Sequence, residues 1–347
     1  MKKILLWLLP LIILLHACKK DKDADLPTTK GVYIVNEGGF NFGNAEVSFY
    51  NPENGEVSNN LFNAANGYSL GDVAQSMYIK DSIGFIVVNN SQKVEVVKIP
   101  SLQVVRTITI AGASPRYILP VNNNIAYVTD LYASKVYMVN YQTGAVLQQI
   151  STPTAWTEHI LLNGTDLLVE GRELSSSTSH NSGLLVINTI TNAITNNNKL
   201  NATNVNGIVK DKYGNIWVAK DADSTQGLTA KFYCLNASYT VIDSIVFATG
   251  HHPSNLCMSA DGEHLLYFDG DVYSVPVSGS HTSQIFANAS NLNLYGMGIN
   301  PSNGDVYFSN SLDYVQPSQV YRYSSTGQLL GTFNAGIISG NFAFSYE

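Results

Sequence analysis

Apolar and polar positions alternate in short bursts from residue 31 to the end of the chain, with Gly, Asn and Asp gathered between the bursts. Residues 126–140, AYVTDLYASKVYMVN, are typical: two alternating runs joined by a short loop. Period-two alternation of this length predicts half-buried β-strands. A core of the same kind recurs as GVYIVNE at 31, IGFIVVNN at 83, NIAYVTD at 124, TDLLVEG at 165, NIWVAKD at 215, EHLLYFDG at 263 and GDVYFSN at 304. Most cores follow an apolar stretch that ends in a tight turn, such as MYIKDS, ILPVNNN, IVKDKYGN, LCMSADGE or GINPSNGD. After a variable loop comes a third strand (AEVSFYN, KVEVVKI, KVYMVNY, GLLVINT, KFYCLNA, QVYRYSS), and a fourth completes most units.

Four short antiparallel strands repeated about seven times, at roughly 40 to 50 residues, predict an all-β, seven-bladed β-propeller over residues 31–347. A helical solenoid would need a 3.6-residue period, which the chain lacks over any useful length. The first unit begins at its second strand, and the chain ends in a spare strand, NFAFSYE. Residues 341–346 are therefore expected to form the innermost strand of the first blade and close the ring, removing exposed edges.

The first residues follow a different rule. MKKILLWLLPLIILLHAC has two lysines, an apolar run from Ile4 to Leu15, and a lipobox ending at Cys18. The run is shorter than the roughly 20 residues of a spanning helix. Residues 1–17 read as a lipoprotein signal peptide, and residues 18–30 as the lipidated Cys18 followed by a charged, Pro-containing tether. The expected location is the outer membrane, lipid-anchored and facing the cell exterior. For the outward face, the Lys/Asp run from Lys19 resembles sequences that direct Bacteroidetes lipoproteins outward.

Cleavage before Cys18 would remove Lys2 and Lys3 from the 19 basic residues and none of the 26 acidic ones, taking the formal charge from −7 to −9. With no basic cluster, the chain is not expected to bind nucleic acid. Cys234 and Cys257 each sit inside an apolar strand pattern and read as buried free thiols.

Propeller topology gathers the loops between blades and the loops joining second and third strands on one face, here termed the top. These loops are the irregular ones, and irregular loops on a rigid scaffold are where binding concentrates. NEGGFNFGNA (36–45) presents Phe40 and Phe42 beside Glu37; GYSLGDVAQSM (67–77) carries Asp72 and Gln75; NSLDYVQPSQ (310–319) carries Asp313 and Tyr314. Blades seven, one and two are neighbours once the ring closes, so these residues form the expected ligand-binding sector, with Arg116 of SPRYI near the mouth. An aromatic rim with amides and a few carboxylates suits a bulky polar ligand; the competing reading is that the aromatics only pack the loops onto the ring. Arg172 with Glu170 could line the mouth or pair with each other.

His251 and His252 are adjacent in an extended segment and point opposite ways, so no metal site is expected there. Residues 221–224 and 269–271 lack the spacing of a calcium loop and read as turns. No nucleophile elbow, phosphate loop or Ser/His/Asp set appears, so no catalytic residues and no cofactor are expected. An enzyme would need Glu37, Glu158, Asp130 or Asp269 to converge on one point.

The segments IVNEGGFNFGNAEVSFYNP, ANGYSLGDVAQSM, SPRYI, NPSNGDVYFSNSLDYVQPSQVYRYS and GIISGNFAF resemble the YVTN-type seven-bladed surface lipoproteins of Bacteroidetes, often labelled surface-layer proteins. Within that group they are most similar to the cobalamin-capturing BtuG family. The resemblance implies a surface lipoprotein that captures a corrinoid and passes it to a TonB-dependent outer-membrane transporter. It spans the propeller, with its specific motifs in blades one, two, three and seven, while blades four to six match only as generic blades. Two alternatives follow from the fold: a structural or adhesive surface propeller that binds proteins, and a lactonase- or lyase-like enzyme.

Overall fold

The computed structural model describes residues 30–173, 182–202, 205–224 and 227–346. The expected signal peptide, the expected lipidation at Cys18 and the expected tether before Lys30 lie outside the described residues.

Seven four-stranded antiparallel sheets are arranged in a ring, each with strands in simple sequence order from the channel outward. The exception is the first blade, whose order is Ser339–Tyr346, Lys30–Asn36, Glu46–Tyr50 and Val57–Ser58. The last strand of the chain pairs antiparallel with the first, from Lys30 opposite Tyr346 to Asn36 opposite Ser339. This is the expected closure, begun two residues earlier than the sequence pattern suggests. The strand partner of Tyr346 is Lys30, so the propeller also starts one residue before the expected boundary.

The alternation explains why the blades stack. Each strand sends alternate side chains to the two faces of its blade, and every face meets a neighbouring blade. The buried apolar residues accordingly fall into seven clusters, each between two adjacent blades. Phe85 and Tyr141 meet edge to face between blades two and three, with ring centroids 5.1 Å apart. Between blades five and six, Phe232 packs on Phe247 and Tyr267. Near the first blade the pattern departs from the repeat. Its fourth strand has two residues, and the short helix Leu61–Asn66 follows it, burying Leu61 and Phe62 in the seam with blade two. Cys234 and Cys257 are both free; Cys234 is buried, whereas Cys257 is half-buried.

One irregularity repeats around the ring. Every innermost strand carries more residues than its partner near its top end: the register shifts between Ala74 and Ser76, Pro115 and Ile118, Thr157 and Ile160, Val205 and Ile208, Ser254 and Cys257, and Leu294 and Met297. In the first blade the extra residue is Gly340. A bulge of this kind re-aims a side chain out of the sheet.

Closure between blades seven and one is tight. A Cβ on Gly296 would fall inside contact distance of the Gly340 carbonyl oxygen, whereas one on Gly331 would meet nothing within 4 Å. Gly296→Ala is expected to lower stability by about 1–3 kcal/mol through overpacking. Gly331→Ala should stay within about 0.5 kcal/mol of the parent. Denaturant melts of the two variants check both expectations.

Candidate functional site

The bulges place one residue per blade around the top of the channel, a side chain in six blades and bare backbone in the first. In blade order these are Gly340, Gln75, Arg116, Glu158, Asn206, Asn255 and Tyr295, and all seven line one pocket of about 300 Å³. The second bulge residues Tyr117 and His159 join them, with Glu37, Arg172 and Asp221 from the ends of second strands. The mouth is thus a polar well built on strands.

Its charges are matched in pairs. The Arg116 guanidinium donates from Nε and Nη2 to the two Glu158 oxygens, each at 2.9 Å, and from Nη1 to the Gln75 side-chain oxygen. Burial alone would raise the Glu158 carboxyl; Arg116 and Arg172 outweigh it and hold that carboxyl below its usual range. Burial disfavours the Arg116 charge, and Glu158 more than restores it. Arg172 donates from Nε to Glu170, and its guanidinium lies 4.7 Å from the Trp156 ring centre. The Trp156 indole N–H in turn bonds Glu158. His159 Nδ1 is 2.6 Å from the other Glu170 oxygen, and its ring rests against Tyr117 at 4.6 Å. A buried ion pair is costly to break from one side, because the remaining charge stays desolvated. This half of the mouth is therefore rigid.

Glu37 differs. It follows the second strand of blade one, its N–H donating to the Ile338 carbonyl, and the Tyr295 hydroxyl donates to its Oε1 at 2.9 Å. Burial raises its carboxyl to about 7, with Glu158 adding to the rise and Tyr295 and Arg116 opposing it. A Cβ on Gly340 would lie 2.7 Å from the same oxygen, so glycine is what lets the carboxyl sit against this backbone.

The residues expected from sequence divide into two groups. Glu37, Gln75 and Arg116 meet in the well. Phe40 and Phe42 stand outside it, 65% and 79% exposed on their loop, so they do not serve to pack that loop. Tyr314 is also exposed, and its ring meets Tyr295 edge-on at 5.9 Å, linking the rim to the well. Asp72 and Asp313 are occupied in building loops. Asp72 accepts from the Asn41 N–H at 2.9 Å and from Asn90, tying the loop of blade one to blade two. Asp313 accepts from the Gln316 amide and from the N–H groups of Val315 and Gln316, which lower its carboxyl to about 2.

Both readings of Arg172 hold together: it pairs with Glu170 and lines the mouth. Glu37 and Glu158 converge on the well, whereas Asp130 caps the turn at Tyr132 and Ala133, and Asp269 holds His251 at 2.5 Å. Asp221, read from sequence as a turn residue, faces the well and accepts from Asn206. Tyr117, His159, Asn206, Asn255 and Tyr295 were not singled out. Their signal was positional: Asn206, Asn255 and Tyr295 stand at the start of an innermost strand where Arg116 and Gln75 stand in their blades, and Tyr117 and His159 are the next residues along.

Among the described residues, Asp261, Glu263 and His264 approach one another closely enough to hold a cation, on the bottom of blade six and away from the mouth.

Removing the Glu37 charge tests its environment. Because the folded carboxyl titrates higher than an unfolded one, Glu37 favours folding at low pH and loses that contribution as pH rises toward 7. Glu37→Gln should therefore be near neutral at pH 5 and raise stability by about 2 kcal/mol relative to the parent at pH 8. Chemical denaturation at both pH values reads this directly.

The fold recurs in solved structures of low sequence similarity. A quinonprotein alcohol dehydrogenase-like protein from Bacteroides thetaiotaomicron superposes with a TM-score of 0.70 at 13% identity, over 92% of this chain and 78% of that one. A candidate 6-phosphogluconolactonase from Bacteroides fragilis gives 0.64 at 13% identity, over 92% and 99%. The hydrazine synthase of Kuenenia stuttgartiensis gives 0.63 at 13% identity, over 78% and 89%. At this identity the likeness is one of fold. No curated protein matches the sequence significantly. The model of one family, described as a domain of unknown function (DUF5074), matches residues 30–335, and the chain belongs to that family.

Proposed function

We propose that this protein is a non-enzymatic, lipid-anchored capture module at the cell surface, which holds a bulky polar nutrient over the channel mouth for an outer-membrane transporter. A corrinoid such as cobalamin is the leading ligand, on the resemblance of the loops of blades one, two, three and seven to those of the BtuG family. The observation that carries the reading is the rim. Phe40, Phe42, Tyr68, Leu312, Tyr314 and Val315 are exposed apolar side chains on loops of blades one, two and seven on the face where the polar well opens, and Tyr314 meets Tyr295 of the well. Exposed apolar groups gathered around a polar depression are the usual surface of a binding site. At about 300 Å³ the well is too small to enclose a corrinoid, so such a ligand would lie across the rim with one edge in the well.

A second reading, acid–base hydrolysis, is favoured by Glu37 and His159 facing the same well. The same experiment separates the two. Calorimetric titration of the full-length chain in detergent with cyanocobalamin should give one-to-one binding, with the ligand recovered unchanged. Phe40→Ala, Phe42→Ala and Tyr314→Ala should each weaken it about five- to thirtyfold, a loss of about 1–2 kcal/mol per aromatic contact. Absence of heat at high ligand concentration would remove the corrinoid, and recovery of altered ligand would favour the enzyme.

A further inference from the structure

The well beneath the rim has its own preference. Its two guanidiniums are already committed, Arg116 to Glu158 and Arg172 to Glu170, so neither is left to receive an anion. Glu37 and Asp221 face the same space, which gives the well more acid than base. The remaining wall is formed by Tyr117, His159, Ser254 and Tyr295 and by the amides of Asn206 and Asn255. Tyrosine faces and amide oxygens are good company for a cation. The volume lies at the lower end of the range for small organic ligands and excludes a large cofactor.

We propose that the well binds the ammonium group of a small organic amine, seated against Glu37 and Tyr295, and that binding expels the Glu37 proton to solvent. The groups facing Glu37 are the Tyr295 hydroxyl from blade seven, Arg116 from blade three, Glu158 from blade four and the Gly340 backbone of its own blade. Arg116 and Glu158 largely cancel each other, so an arriving cation is what decides the state of the carboxyl. Burial already brings that carboxyl to about 7, where a nearby positive charge readily ionises it. The inference uses the same mouth as the proposed function but not its rim, so either can fail alone.

The test is titration of the full-length chain in detergent with butane-1,4-diamine, and with butane-1,4-diol and succinate as neutral and anionic matches, at pH 6 and pH 8. The diamine stays protonated throughout. It should bind at least tenfold tighter than the diol or succinate, and about tenfold tighter at pH 8 than at pH 6. Repeating the titration in buffers of different protonation heat should reveal proton release near pH 7, and this needs no variant. Glu37→Gln should weaken diamine binding at pH 8 and abolish its pH dependence. His159 lines the same well, and pH dependence that survives in Glu37→Gln would overturn the assignment to Glu37. Succinate binding as tightly as the diamine, pH-independent diamine binding, or no diamine binding would overturn the proposal. Loss of the diamine arm with corrinoid capture intact removes this inference only, and the reverse result removes the proposed function only.

Discussion

The antiparallel pairing of Ser339–Tyr346 with Lys30–Asn36 is the interaction on which the rest depends. A blade buries its faces only against its neighbours, so a ring with one open seam would expose two of them. The clasp seals the seam between blades seven and one with strand hydrogen bonds, and brings Val32, Ile34, Tyr307 and Phe342 into one buried cluster. It also brings the two ends of the described chain, Lys30 and Tyr346, together on the face opposite the mouth. Asn36 takes part directly: its side-chain oxygen accepts from the Gly336 N–H and the Ser339 hydroxyl. Glu37, the next residue, is therefore placed by closure itself. Its burial against Gly340 and Tyr295 follows from the clasp.

The seven bulges turn this scaffold into a site. Equivalent backbone positions deliver chemically different side chains, so a near-symmetric ring acquires an asymmetric mouth. Blades three and four contribute matched charges locked around Trp156. Blades five, six and seven contribute amides and a tyrosine, and blade one contributes a carboxyl that burial keeps partly protonated near neutrality. A locked half and a titratable half suit recognition, because the first fixes the shape and the second responds to what arrives. Strand-borne side chains are also better fixed than loop-borne ones. The rim above, carried on loops, has the opposite character: exposed and apolar.

Most of the architecture was legible in the sequence because a propeller is written as repetition. The period-two cores, the short turns and the spare C-terminal strand give blade number and closure without tertiary information. The helix Leu61–Asn66 was not legible, being one short departure inside a repeat. The site was half legible. Glu37, Gln75 and Arg116 were reached through loop topology, but Asp72 and Asp313 were chosen by the same reasoning and build loops. Loop position shows which face a residue occupies, and it does not show whether a carboxylate already has partners. Tyr117, His159, Asn206, Asn255 and Tyr295 were hidden for a different reason. A bulge reverses which residue of an alternating strand faces the channel, and the apolar–polar pattern alone does not mark where the reversal occurs. Laying the seven innermost strands over one another at Gln75 and Arg116 would have exposed the ring.

The proposed recognition lies at the top face, where rim and bulges meet. Hydrogen exchange of the full-length chain with and without saturating cyanocobalamin tests it most directly. Slowed exchange is expected in segments 36–45, 67–77 and 310–316, with the hairpins of the opposite face unchanged. Protection confined to those opposite hairpins or to the outer strands, or no protection anywhere, would contradict it.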